Sequence, residues 1–213
     1  MKIVSVGLLL AVLPAFGGQQ GAMLAPIALY TQFQQEPPAG LLEAMRLELA
    51  SIMAPMGLRF DWRSLNRSHS DDVSVELAVV TFKGRCEVSR LMPHVVAHSG
   101  PLGWTHVSEG AILPFADIDC DGVRNFLQNG LLGVRAQDRD EMLGRALGRV
   151  LAHELYHILA NTQHHGSGGV GKAAYTVQNL LEGEFQFDEK ESAALLTSKA
   201  HELLSLSGSD SSK

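Results

Sequence analysis

Residues 151–166 read LAHELYHILANTQHHG, and they lie in the longest stretch of the chain with a helical period. Met142, Leu143, Ala146, Leu147, Val150, Leu151, Leu155, Ile158 and Leu159 fall at three- and four-residue spacings, which predicts one long helix from about Asp138. Asp138 with Glu141 three residues on gives an acidic capping pattern for its first turn. Gly144, Gly148 and Ala152 recur every four residues, so one stripe of this helix is nearly bare and suited to lie close against a sheet.

The sequence on either side supplies further elements. MLAPIALYTQF predicts a strand, and PPAGLLEAMRLELASIMAPMG places Leu41, Leu42, Met45, Leu49, Ile52 and Met53 on one helical face that Pro55 and Gly57 end. LRFDW and VSVELAVVTF carry strand patterns separated by a polar connection, LGWTHVSEGAILPF predicts a hairpin turning at residues 108–110, and DCDGVRNFLQNGLL predicts a short helix. Near the C-terminal end, DEKESAALLTSKAHELLSL predicts one helix with Asp188 and Glu191 as its capping box, and SGSDSSK a frayed end. The mixture is α+β, and 213 residues with 46% hydrophobic content suit a single core.

Charge and the N-terminus narrow the setting. A formal net charge of -6, with no run of Lys or Arg, offers no electrostatic footprint for nucleic acid or an anionic lipid surface. MKIVSVGLLLAVLPAFGG has one Lys, an apolar run from Ile3 to Leu13, then Pro14 and the small residues Ala15 and Gly17. That is the pattern of a cleaved signal peptide over residues 1–17, with an uncleaved anchor or a buried strand as the alternative. The expectation is a secreted or periplasmic protein whose residues 18–213 form one domain, with no stable membrane span once the leader is gone. In an oxidising compartment Cys86 and Cys120 can pair, closing a loop of about 35 residues and stabilising by about 3–4 kcal/mol in the chain-entropy model; two separate buried thiols or a reactive Cys are the alternatives.

The chemistry is concentrated in the long helix. Positions i and i+4 lie one above the other, so His153 and His157 point the same way and can hold one cation through two imidazole nitrogens. Glu154 is then beside the metal rather than on it, where a carboxylate can take a proton from metal-bound water and pass it to a leaving amine. A chain with 9 His would spell His-Glu-x-x-His by chance roughly 0.02 times, so the motif stands out from composition.

HELYH on a long helix, after a strand, a helix and several strands, resembles the zincin metallopeptidases, and HELYHILANTQHH resembles their metzincin branch. The strict metzincin pattern has Gly three residues after the second His and a third His three later, where this chain has Ala160 and Gln163. A longer-spaced form, similar to certain small bacterial proteins of this type, stops the helix four residues after the second His and supplies a ligand His eight after it. Asn161 and His165 match it, and Asn tolerates the left-handed conformation such a stop requires.

The resemblance implies a zincin-like fold: a mixed β-sheet packed on an N-terminal amphipathic helix and the long HExxH helix, with a small helical C-terminal part. It implies zinc held by His153, His157 and His165, with His164, or a later acid such as Glu182 or Glu184, as alternatives for the third position, and Glu154 as general base. Peptide or protein substrates of zincins add as a strand to the sheet edge beside the helix, which makes the hairpin of residues 103–115 the candidate edge and brings it near His153. Metzincins carry a Met in a turn beneath the metal, and no Met follows Met142 here; Gly171 falls where the related pattern places its glycine. Tyr175 is either an oxyanion donor, as a Tyr is in some metzincins, or a packing residue.

Other constellations weigh less. His94 and His98 mimic a ligand pair, but Pro93, Gly100 and Pro101 argue against a helix there. DIDCDG opens like a calcium loop, yet Gln128 stands where a bidentate Glu is needed, so an acidic turn capping the following helix is the better reading. Trp62 and Trp104 are read as packing residues. Two functions follow: an exported zinc-dependent peptidase, or a secreted non-catalytic zincin-like binding protein, with or without a structural zinc. The sequence leaves the oligomeric state open.

Overall fold

Five strands, β1 (Ile27–Phe33), β2 (Phe60–Ser64), β3 (Leu77–Lys83), β4 (Gly103–Ser108) and β5 (Ala111–Asp119), form one mixed sheet in the order β2-β1-β3-β5-β4. The computed structural model describes residues 24–67, 73–88, 100–181 and 183–210; the expected leader at 1–17, the pair His94 and His98, and Glu182 lie outside the described residues. β1 runs parallel to β2 and β3, and β3 parallel to β5, while β4 is antiparallel to β5 and forms an edge. β3 shows how sequence alternation sets the faces: Ala78, Val80 and Phe82 are buried, and the residues between them only partly so. The β4–β5 turn has Glu109 and Gly110 both at positive φ (51° and 83°), as a tight two-residue hairpin requires.

Six α-helices are present among the described residues: α1 (Ala39–Met53), α2 (Cys120–Leu132), α3 (Arg139–Leu159), α4 (Val177–Leu181), α5 (Glu189–Leu196) and α6 (Lys199–Asp210). α1 and α3 share a core, with Leu41, Met45, Leu49 and Ile52 from one and Leu143, Leu147 and Leu151 from the other all fully buried. Each such side chain contributes about 1.5–3 kcal/mol by leaving water. The nearly bare stripe of α3 lies against α1 rather than against the sheet, which corrects the sequence reading. A methyl at Gly148 would come within 2.8 Å of the Met45 carbonyl oxygen, and one at Gly144 would strike that of Leu41. Buried Arg149 fastens α3 to its surroundings, donating to Glu48 Oε1 at 2.6 Å and to the carbonyls of Asn179 and Gly183 at 2.6 and 2.8 Å.

Two other expectations are corrected. Asp138 does not cap α3 with its side chain; its carboxylate accepts from Arg135 Nε at 2.6 Å, and a short 3-10 turn leads into the helix. The C-terminal segment is two helices: α5 begins with the Asp188/Glu191 capping box and stops at Thr197, and Ser198 Oγ accepts the His201 N–H at 3.1 Å to start α6, which runs on to Asp210 instead of fraying at residue 207. The acidic turn is a cap as read, with Asp119 Oδ1 accepting the Gly122 N–H at 2.9 Å. Asp117 is engaged by His106 and Lys83, and Asp121 by Arg124. Cys86, just after β3, and Cys120, the first residue of α2, are buried and disulfide-bonded. No described helix is long and apolar enough to cross a membrane.

Candidate metal centre

The last two turns of α3 present His153, Glu154 and His157, all buried at 8%, 4% and 7% exposure. The helix ends at Leu159, and Asn161 adopts the left-handed conformation (φ 48°) that reverses the chain. That reversal brings the Thr162 carbonyl back to His157, whose Nδ1–H donates to it at 2.7 Å. Three residues on, His165 comes over the other two rings, 5.2 Å from His153 and 4.8 Å from His157 between centroids. A potential ligand atom from each of the three imidazoles lies within 4.8 Å of the others, with His153 and His157 buried and His165 exposed. His164 is outside this group, its backbone N–H donating to Thr162 Oγ1 at 3.1 Å, and exposed Glu184 is outside it as well.

Hydrogen bonding fixes which nitrogens face inward. His153 Nδ1 lies 2.7 Å from the Val170 carbonyl oxygen, which can only accept, so this nitrogen carries the proton; His157 Nδ1 is set the same way by Thr162. In the neutral rings both Nε2 atoms then carry lone pairs, and these stand 3.0 Å apart. Two lone pairs at that separation repel unless a proton or a cation lies between them. Burial lowers the pKa of His153 to about 4 and also depresses that of His157, so at neutral pH a proton is not the partner. A tetrahedral metal with bonds of about 2.0–2.1 Å would set two nitrogens about 3.3 Å apart, close to the distance present. The residues therefore fit a metal ion, and a donor set of three imidazoles suits zinc, copper, iron or nickel over calcium or magnesium.

Glu154 points toward the edge strand. The Thr105 hydroxyl donates to its Oε2 at 2.8 Å and lies 3.2 Å from its carbonyl oxygen. Burial raises the carboxyl pKa to about 7, against the opposing pull of the Thr105 contacts. A methyl at Gly103 would be 2.9 Å from Glu154 Oε1 and 3.0 Å from Val150 Cγ1, so β4 crosses α3 closely here and a side chain at this position would require Glu154 or Val150 to shift. The cleft above has a volume of about 560 Å³ and is lined by Gly103, Thr105 and Val107 of β4, by Ile112 and Phe126, and by residues 172–175. The edge of the 103–115 hairpin does come beside His153.

Tyr175 is placed differently from an oxyanion donor. Its hydroxyl donates to the Val170 carbonyl and sits 2.8 Å from His153 Nδ1, on the outer side of that ring and away from the Nε2 face. Its own ring packs edge-on against His153 and Phe185. Sequence reasoning missed Thr105, Gly103 and the carbonyls of Thr162 and Val170. Backbone oxygens leave no mark in a sequence. The chain matches no protein-family model, no curated protein and no solved structure.

Proposed function

We propose that the chain is an exported zinc-dependent peptidase of zincin-like, metzincin-related type. The observation that carries this reading is the meeting of the His153, His157 and His165 imidazoles, with His153 Nε2 and His157 Nε2 aimed at each other, at the head of a cleft beside an edge strand. The mixed sheet with one antiparallel edge strand next to the HExxH helix supports the zincin-like fold, and the disulfide supports an oxidising destination.

Zinc held by the three imidazoles would supply Lewis acidity, polarising a scissile carbonyl and making a water in the cleft easier to deprotonate. The chain's own groups do the rest. Val170 and Thr162 hold the two helix imidazoles in the tautomer that presents Nε2. Glu154, desolvated and hence a stronger base than an exposed carboxylate, accepts the proton from the attacking water and delivers it to the leaving amine. β4, the edge strand of the sheet among the described residues, gives an extended peptide backbone partners, so affinity comes from main-chain hydrogen bonds.

One observation favours a second reading, a secreted binding protein with or without a structural zinc: Glu154 is buried and hydrogen-bonded to Thr105. The two readings separate on metal content and turnover of wild type, Glu154→Gln and His153→Ala. For the peptidase, wild type holds about one zinc and cleaves a mixed peptide library, Glu154→Gln keeps the zinc and loses cleavage, and His153→Ala loses both. Zinc without cleavage in wild type selects the binding protein, and no zinc after loading at neutral pH overturns the peptidase.

A further inference from the structure

The loop that follows His165 is shaped around one carboxylate. Gly166 N–H donates to the Gly171 carbonyl at 2.8 Å, closing residues 166–171 into a compact turn, and Val170 N–H donates to the Gln186 carbonyl at 3.1 Å. Glu191 of α5 reaches into this turn and is 2% exposed. Its Oε2 accepts the Asp188 N–H at 3.0 Å in the capping box, while Oε1 is turned toward Gly166 and Gly171. A methyl at Gly171 would be 2.5 Å from Glu191 Cδ, one at Gly166 would be 3.1 Å from it, and both would run into Oε1. Neither glycine has a positive φ, so space rather than backbone conformation excludes a side chain at these two positions.

Both ends of this turn serve the metal centre. Gly166 is the residue after His165, and Gly171 the residue after Val170, whose carbonyl orients His153. We infer that Glu191 is a positioning residue for the metal centre: its carboxylate fills the space left by Gly166 and Gly171 and thereby sets both the third imidazole and the acceptor behind the first. The inference rests on the metal reading proposed above for its effect on affinity, but the shape of the turn can be tested without metal.

The test compares wild type with Glu191→Gln, Glu191→Ala, Gly171→Ala and the double variant Glu191→Ala/Gly171→Ala. Zinc dissociation constants are measured by chelator competition, urea midpoints in EDTA control for folding, and amide exchange at Gly166 and Val170 is followed in the metal-free protein. Glu191→Gln, which keeps the shape, should stay within about threefold of wild type in zinc affinity, while Glu191→Ala and Gly171→Ala should each weaken it by about 10-fold or more. In the double variant the methyl introduced by Gly171→Ala enters space vacated by the carboxylate, so its loss should not exceed that of Glu191→Ala alone. Exchange should follow the same order. Multiplying losses in the double variant, or a Glu191→Ala protein within twofold of wild type in both affinity and exchange, would overturn the inference. Should wild type bind no zinc, the metal reading fails, and the exchange pattern alone decides whether Glu191 shapes the turn.

Discussion

The Thr105 hydroxyl donates to Glu154 Oε2 over 2.8 Å and so joins the edge strand of the sheet to the acidic residue of the HExxH helix. The two residues are 49 apart in sequence. Because the carboxylate is 4% exposed, it has little water to replace that donor.

Thr105→Val keeps the β-branched shape and removes the hydroxyl. It should destabilise the protein by about 1–3 kcal/mol in urea unfolding, with Thr105→Ser recovering most of the loss. If Glu154 works as proposed, cleavage should fall with Thr105→Val mainly in kcat, since the contact concerns the base and not the peptide backbone. Equal stability and turnover for Val and wild type would mean that the contact orders neither.

The buried carboxyl also makes stability depend on pH. Glu154 has its pKa raised from 4.5 to about 7 by burial, so its folded-state contribution is fully favourable below about pH 4.5 and is lost as pH rises through about 7. The penalty above pH 7 is on the order of 3 kcal/mol for this 4%-exposed group. In EDTA, Glu154→Gln should therefore be more stable than wild type above pH 7, and the difference should shrink as pH falls toward 4.5. Urea midpoints across this range for both proteins check it; a difference that grows on acidification has the wrong sign for a desolvated acid.

What the sequence conveyed, and what it did not, divides along the range of the interactions. The pairing of His153 with His157 follows from one helical turn, the stop at Asn161 from a residue that tolerates positive φ, and the Asp188/Glu191 box from three-residue spacing. All three are local. The bare stripe of Gly144 and Gly148 signalled close approach without saying to what, because periodicity reports which face is buried but not its neighbour; the neighbour proved to be α1. Glu191 announced only its capping role, and the use of its other oxygen depends on a turn some 20 residues away that forms only in the folded chain. The break at Thr197 and Ser198 was hidden by apolar spacing that continues through it, until Ser198 is seen capping the next helix.

The disulfide gives a prediction separable from the metal centre. Cys86 and Cys120, 34 residues apart, join the end of β3 to the start of α2. Replacing both with Ser should lower unfolding stability by about 3–4 kcal/mol in the chain-entropy model. His153 and His157 stand on α3 and take their orienting carbonyls from residues 170 and 162, so zinc affinity of the folded variant should stay within about threefold. A variant that folds yet loses zinc more than tenfold would show that this strap shapes the site.

Asn161 offers the sharpest test of how backbone conformation builds the centre. At φ 48° it reverses the chain after α3, and the very next residue supplies the carbonyl that orients His157 at 2.7 Å. Glycine adopts this conformation without strain, so Asn161→Gly should keep both stability and zinc affinity near those of wild type. A β-branched residue resists it by about 1–2 kcal/mol, and a chain that relieves the strain by opening the turn withdraws the Thr162 carbonyl. Asn161→Val should therefore unfold at lower urea and bind zinc about 10-fold more weakly, the loss expected when the outer nitrogen of a ligand imidazole goes without its partner. A Val variant that loses stability but keeps its zinc affinity would place the strain elsewhere and leave His157 oriented by the helix alone.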